Sequence, residues 1–170
     1  MMNEQDQAIL EEFTASGERF EQLVSDLGEQ QLDWMAAPGE WSIRQTVHHL
    51  AEDGDVWSML VKKAIATPGV PARFEGFPGN DIWARELSTD KREIGPALAL
   101  IHAHRTFLAH LAADFPHAWD RQVIIHDETG RAVQPLSVRE ILDMLSDHMR
   151  EHIRVVESTL TASEAVQSTP

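Results

Sequence analysis

Apolar residues recur at intervals of three and four along four segments of this chain. Such spacing places one apolar stripe along the side of an α-helix. The pattern predicts helices over residues 5–32, 43–66, 93–114 and 137–160. Four helices of this length, joined by long connections, predict an all-α fold, namely a four-helix bundle.

Two capping boxes mark where the second and fourth helices begin. Ser42 is followed three residues later by Gln45, and Ser137 is followed three residues later by Glu140. In this motif each side chain hydrogen-bonds to the backbone N–H of the other residue. Gly54 lies in the middle of the second predicted helix, where glycine costs stability, and it indicates a bend or a close approach of another element.

The connections between the helices carry their own signals. Residues 67–81 contain three prolines and three glycines and predict a long loop with little regular structure; long ordered loops often form lids or pocket walls. Residues 122–134 predict a small hairpin before the last helix. The polar residues 161–170 predict a disordered tail after one bundle domain over residues 1–160.

Composition narrows the classes of function. The chain has 170 residues, which suits one domain, and it has no cysteine, which excludes disulfides and thiolate metal ligands. A net charge of −14 argues against a nucleic-acid partner, because phosphate contacts need lysine and arginine. The first residues do not resemble a signal peptide, and no apolar run reaches the length of a membrane span. We therefore expect a cytoplasmic protein with no membrane partner.

Three of the nine histidines form the strongest candidate site. His148 and His152 are four residues apart and share one face of the last predicted helix. His49 lies beside the apolar stripe of the second predicted helix. Three neutral imidazoles that converge can hold a divalent metal and leave one coordination position open. The spacing alone leaves a second interpretation open, because a histidine on an apolar helix face is more often a core or boundary residue.

The other histidines are weaker candidates. His48 is turned about 100° from His49 around the helix, so at most one of the two faces a common site. The motifs His-Glu-x-x-His and Glu-x-x-His are absent, which excludes a zincin and the carboxylate di-iron bundle pattern. We interpret four further histidines as surface or boundary residues: His102, His104, His110 and His117.

Several motifs together resemble a known family. Residues 41–51, Trp-Ser-Ile-Arg-Gln-Thr-Val-His-His-Leu-Ala, are followed by 80–87, by His-Asp-Glu-Thr-Gly at 126–130, and by the pair His148 and His152. In this order they resemble the YfiT-like branch of the DinB-like four-helix bundle superfamily, over about residues 5–160. That branch comprises metal-dependent hydrolases and thiol S-transferases. It usually has proline after the hairpin histidine, whereas this chain has Asp127.

The resemblance implies a metal site and a chemistry. Its metal ligands carry over to His49, His148 and His152. It implies hydrolysis, or transfer of a low-molecular-weight thiol such as bacillithiol or mycothiol to a small electrophilic substrate. Bundles of this family often form homodimers, and the sequence leaves the oligomeric state of this chain open. Zinc suits three imidazoles with an open position, and nickel is also accepted by imidazole. The alternative is a non-catalytic bundle, which would be a metal-binding or stress-response protein, or an interaction module. A metal whose fourth position is closed by another protein ligand would favour this alternative.

Residues around these ligands are harder to assign. His126 is the candidate catalytic residue, a general base, although a structural role in the hairpin competes with that role. Glu52 and Asp53 follow His49 by three and four residues and are candidates for carboxylates that orient the ligand rings; base rates for charged residues favour a solvated role instead. Three tryptophans could line a pocket: Trp41, Trp57 and Trp83. Of these, we expect Trp57 to be a core residue.

Overall fold

The computed structural model describes residues 2–74, 77–127 and 129–167, with side chains as far as residue 163. This part of the chain forms six helices and three short strands. In chain order they are α1 (Glu4–Val24), α2 (Glu29–Leu32), α3 (Ile43–Ala66), β1 (Pro71–Ala72), α4 (Asn80–Glu86), α5 (Gly95–Asp114), β2 (Gln122–His126), β3 (Ala132–Ser137) and α6 (Val138–Gln167).

The four long helices α1, α3, α5 and α6 form the predicted bundle. Each packs against two of the others, so that the order around the bundle is α1, α6, α3, α5. Both predicted capping boxes are present: Gln45 N–H donates to Ser42 Oγ at the start of α3, and Glu140 N–H donates to Ser137 Oγ at the start of α6. The two helices that carry the candidate ligands, α3 and α6, are neighbours in this arrangement.

The predicted hairpin is present and belongs to a three-stranded sheet. Strands β2 and β3 pair antiparallel, from Gln122 opposite Ser137 to His126 opposite Ala132. Strand β1 pairs parallel to β2, with Pro71 opposite Ile124. The segment 67–81, which the sequence predicts to have little regular structure, thus supplies an edge strand of two residues. Proline is tolerated there because an edge strand leaves some backbone N–H groups unpaired.

The helices differ from the predicted ones in three places. The first predicted helix, 5–32, is two helices, because the chain turns after Val24 and restarts at Gly28, the N-cap of α2. Arg44 at the start of α3 holds this second piece through Glu29 at 2.6 Å and Asp33 at 2.9 Å. Helix α4 lies in a region for which no helix was predicted.

The last helix, α6, continues to Gln167, past the predicted end near residue 160. Residues 161–167 of the predicted disordered tail are therefore helical, which the absence of glycine and proline between 161 and 167 permits. Residues 168–170 lie outside the described part of the chain.

One of the buried arginines in the described part of the chain lies in the core between the long helices. Arg105 of α5 is 9% exposed, and its guanidinium donates to the carbonyl oxygen of Phe13, to Ser16 Oγ at 2.9 Å and to the carbonyl oxygen of Leu145 at 3.0 Å. Burial lowers the pKa of Arg105 to about 10, so the group stays charged at neutral pH. Gly17 makes room for it, because a Cβ there would lie 3.2 Å from Arg105 Nε and closer still to Cδ. Arg105 therefore joins α5 to α1 and α6.

Among the described residues, no helix is both long enough and apolar enough to cross a membrane.

Candidate metal centre

The three predicted ligands come together where α3 faces α6. His49 Nε2 lies 3.2 Å from His148 Nε2. The ring centre of His152 lies 4.5 Å from that of His148 and 5.2 Å from that of His49. One ring nitrogen from each residue can be chosen such that all three lie within 4.8 Å of one another. We refer to His49, His148 and His152 as the histidine cluster.

Burial keeps two of these imidazoles neutral. It lowers the pKa of His49 below its ordinary value of 6.5, against the opposing effect of the nearby Asp53 carboxylate. Burial, reinforced by the charges that His148 and His49 can carry, lowers the pKa of His152 to about 4. Neutral imidazole is the form that binds a metal. The protonation states of His49 and His152 are therefore already those of metal ligands at neutral pH.

Asp53 and Trp41 contact the histidine cluster. Asp53 lies one helical turn after His49, and its Oδ2 is 3.0 Å from His148 Nε2 and 3.6 Å from His49 Nε2. The indole of Trp41 meets the His49 ring edge-on, with ring centres 4.9 Å apart, and its Nε1 donates to Asp81 at 3.0 Å. The sequence spacing already placed Asp53 on the face of His49, but only the fold shows that it also reaches His148.

A cavity of about 590 Å³ opens beside the histidine cluster, and His49, Asp53 and His148 form part of its wall. Residues of the 67–81 segment line it, as predicted for a pocket wall. Trp57, expected in the core, is half-buried and lines the cavity as well. The aromatic residues of the wall are Trp57, Phe74, Phe77 and Trp83.

Glu52 also lines this cavity. Its Oε1 is buried without a hydrogen-bond partner among the described residues, and burial raises the pKa of its carboxyl group. Unlike Asp53, Glu52 makes no ion pair with the histidine cluster in the described part of the chain. The two neighbouring acids are therefore in different surroundings.

The remaining histidines lie elsewhere. His126 is in the hairpin, where its Nδ1 donates to the carbonyl oxygen of Gly130 at 2.8 Å, and it is not among the described residues that line the cavity. Its catalytic role stays a prediction. His48 faces away from the histidine cluster and lies 3.4 Å from the carbonyl oxygen of Arg92. Two of the predicted surface or boundary histidines pair with acids: His102 with Glu21, and His104 with Asp55.

The histidine cluster fits a divalent metal ion. A tetrahedral ion with metal–nitrogen distances of about 2.0–2.1 Å has its ligand atoms about 3.3 Å apart, and the two Nε2 atoms of His49 and His148 are 3.2 Å apart. Imidazole nitrogen is a ligand that zinc, nickel, copper and iron all accept. The donor set therefore suits a transition metal rather than Mg²⁺ or Ca²⁺, which prefer oxygen.

Comparison with known families agrees with this arrangement. A sequence model of the DinB superfamily matches residues 12–156. The chain belongs to the DinB superfamily. The match extends from α1 into α6 and includes every residue of the histidine cluster.

A solved structure of this superfamily fold shows the same architecture. YfiT from Bacillus subtilis, described as "a probable metal-dependent hydrolase with an unusual four-helix bundle topology", superposes with a TM-score of 0.79 at 17% sequence identity. The alignment covers 98% of this chain and 90% of that chain. It shows that the predicted fold, the four-helix bundle with long connections and a small hairpin before the last helix, is correct. No curated protein sequence matches the chain.

Proposed function

We propose that this DinB-superfamily protein is a divalent-metal-dependent enzyme that acts on a small electrophilic molecule, by transfer of a low-molecular-weight thiol or by hydrolysis. One observation carries the proposal: His49 and His148 lie in the wall of a cavity large enough for a ligand. Ligand sites in proteins typically measure about 300–1,000 Å³, so a volume of about 590 Å³ suits a small molecule.

The histidine cluster would hold the metal. Bound there, a divalent ion supplies Lewis-acid chemistry, polarising a carbonyl group and favouring deprotonation of a water or a thiol. Three neutral ligands leave the full charge of the ion available for this purpose. We favour zinc as the resident metal and retain nickel as the second candidate, because imidazole suits both.

The cavity wall would bind the substrate. Trp57, Phe74, Phe77 and Trp83 offer flat apolar surfaces that fit an aromatic or aliphatic body. Phe77 and Trp83 pack edge to face, with ring centres 4.8 Å apart, which holds both rings in place. Lys63 contributes a cation to the same wall. The substrate we infer has an apolar body that contacts the aromatic rings and a reacting group that reaches the histidine cluster.

The open cavity favours an enzyme over the non-catalytic alternative. A structural metal is enclosed by its protein ligands, whereas a catalytic metal keeps a position that substrate can reach. The side chain of His148 is 35% exposed, and the cavity lies beside it. A bundle that only stored metal or bound a partner would not require this cavity.

The proposal is tested first by metal content. We expect about one divalent ion per chain in the purified protein, as measured by mass spectrometry, and its loss in His49→Ala and in His148→Ala. His102→Ala is the matched control, because His102 is exposed and pairs with Glu21 away from the histidine cluster. Absence of metal from the wild type after incubation with zinc or nickel would contradict the proposal.

Activity is tested next, on the metal-loaded protein. Thiol transfer is measured with a low-molecular-weight thiol and an aromatic electrophile, and hydrolysis with aromatic esters and amides. We expect one of the two activities in the wild type and in His102→Ala, and neither in His49→Ala. A protein that binds one metal per chain but turns over neither class of substrate would support the non-catalytic bundle.

A further inference from the structure

The cavity beside the histidine cluster follows one face of α3. Residues of its wall recur at intervals of three and four along this helix, from His49 through Asp53, Val56 and Leu60 to Lys63. At about 1.5 Å of rise per residue, the first and the last of these positions lie about 21 Å apart along the helix axis. The cavity is therefore elongated, with the histidine cluster at one end and Lys63 at the other.

Lys63 brings a positive charge to the far end of this cavity. It is half-buried, and it forms no ion pair with an acid in the part of the chain that the structure describes. The neighbouring Lys62 is exposed, and its Nζ lies 5.1 Å from the ring centre of Phe107. Lys62 is not among the described residues that line the cavity. Of these two lysines, Lys63 is thus the one whose ammonium group can meet a ligand there.

The acids of the cavity wall lie near the opposite end. Glu52 and Asp53 line the cavity within about one helical turn of His49, and they are about 15 Å from Lys63 along the helix axis. Arg73 lines the same cavity and adds a second cation to its wall. An anionic group of a ligand is therefore opposed by the two acids and attracted by Lys63.

We propose that Lys63 forms an anion subsite and that the substrate is an elongated molecule with a carboxylate at the end remote from its reacting group. This inference rests on the proposed function and specifies its substrate class. The Lys63 ammonium would donate a charge-assisted hydrogen bond to the carboxylate. A group with one negative charge suits this subsite, because the net charge of the chain, −14, disfavours a more highly charged ligand.

The middle of the cavity determines what joins the two ends. Its wall there is largely apolar, with Val56 and Leu60 of α3 beside the packed rings of Trp57 and Phe74, whose centres are 6.4 Å apart. Side chains of a helix lean toward its N-terminus, so the Lys63 side chain extends toward the histidine cluster and leaves about 15–20 Å for the ligand to span. A short substrate cannot contact both ends.

The test uses the cobalt(II)-loaded protein and a matched pair of long-chain thiols. Mercaptoundecanoic acid ends in a carboxylate, and mercaptoundecanol ends in a neutral hydroxyl group. Isothermal titration calorimetry measures the affinity of each, and the absorption band of a cobalt–thiolate bond shows whether the sulfur reaches the metal. Lys63→Met removes the charge and keeps a long side chain. Lys62→Met is the matched control on the same helix, and Lys63→Arg restores the charge.

We expect the wild type to bind the acid about 10-fold more tightly than the alcohol, which is the low end for a hydrogen bond to a charged group because Lys63 is only half-buried. In Lys63→Met this preference should fall below about threefold, because the affinity for the acid drops while that for the alcohol is kept. Lys62→Met and Lys63→Arg should keep the wild-type preference. Both thiols should produce the cobalt–thiolate band.

Three results would overturn the inference while leaving the proposed function intact. They are equal affinities of the wild type for the two thiols, an unchanged preference in Lys63→Met, and a cobalt–thiolate band that appears with the alcohol but not with the acid. Circular dichroism verifies that each variant is folded. Failure of the wild type to bind cobalt is visible before any thiol is added, and it would overturn the proposed function together with the inference.

Discussion

Gly54 allows α3 to approach α5 closely, and this contact can be measured by mutation. A Cβ at position 54 would lie 2.9 Å from Cγ and 3.0 Å from Cε1 of the His104 ring, and closer still to Nδ1. Ordinary contacts between heavy atoms are about 3.5–4.0 Å, so the ring would have to move. His104 is itself held, since its Nε2 lies 2.9 Å from Asp55 and its side chain is only 17% exposed.

The expected energies follow from these contacts. In Gly54→Ala, overpacking costs about 1–3 kcal/mol, and the better helix propensity of alanine returns about 1 kcal/mol. The net free energy of unfolding should therefore fall by about 1 kcal/mol, within a range of about 0–2. In a His104→Ala background the ring is absent, and the same substitution should raise the free energy of unfolding by about 1 kcal/mol.

The assay is a double-mutant cycle. Urea unfolding of the metal-free wild type, Gly54→Ala, His104→Ala and the double variant is followed by circular dichroism. The coupling free energy should exceed about 1 kcal/mol, which is well above the error of additivity, about 0.3–0.5 kcal/mol. The close approach of α3 and α5 would be refuted if Gly54→Ala stabilised the wild type as much as it stabilises His104→Ala.

Three further predictions concern stability and metal binding. Arg105→Met should lower the free energy of unfolding by about 1–3 kcal/mol, because it leaves buried carbonyl and hydroxyl acceptors without their charged donor. Urea unfolding measures this, and an unchanged free energy of unfolding would contradict the role of Arg105. Zinc at about 100 times its dissociation constant should stabilise the wild type by about 2.7 kcal/mol, which corresponds to a rise in Tm of about 5–11 °C. Zinc should not stabilise His152→Ala. Equal rises in Tm for the wild type and His152→Ala in a thermal scan would exclude His152 as a ligand. Hydrogen bonds from Ser137 lower the pKa of Glu140 from its ordinary value of 4.5. Its ionised form therefore contributes stability above pH 4.5 that is lost as the pH falls through the folded-state pKa. The difference in free energy of unfolding between the wild type and Glu140→Gln should shrink over that interval, and a constant difference would contradict this.

The fold was predictable because its signals are local. The apolar stripes of the long helices and the two capping boxes depend on residues within one or two helical turns of each other, and the predicted α3 boundaries, 43–66, match the structure. The break after Val24 was missed because Ser25, Asp26 and Leu27 do not interrupt the apolar pattern. Strand β1 was missed because two residues carry no periodicity, and its pairing with β2 joins positions far apart in the chain.

The site was predictable only in part, because some of its features are local in the chain and others depend on how helices pack. A spacing of four places His148 and His152 on one face of a helix, and the sequence determines this whatever the helix packs against. The approach of His49 Nε2 to His148 Nε2 spans 99 positions of the chain and exists only because α3 packs beside α6.

The cavity and the position of Asp53 likewise depend on tertiary packing. The sequence placed Asp53 on the face of His49 but could not show which nitrogens its carboxylate would meet. The sequence alone thus determined the four long helices, two of their N-caps and the residues that could bind a metal. Only the tertiary structure decided which of them share one point beside a cavity, because backbone periodicity fixes directions within a helix while side-chain packing fixes distances between helices.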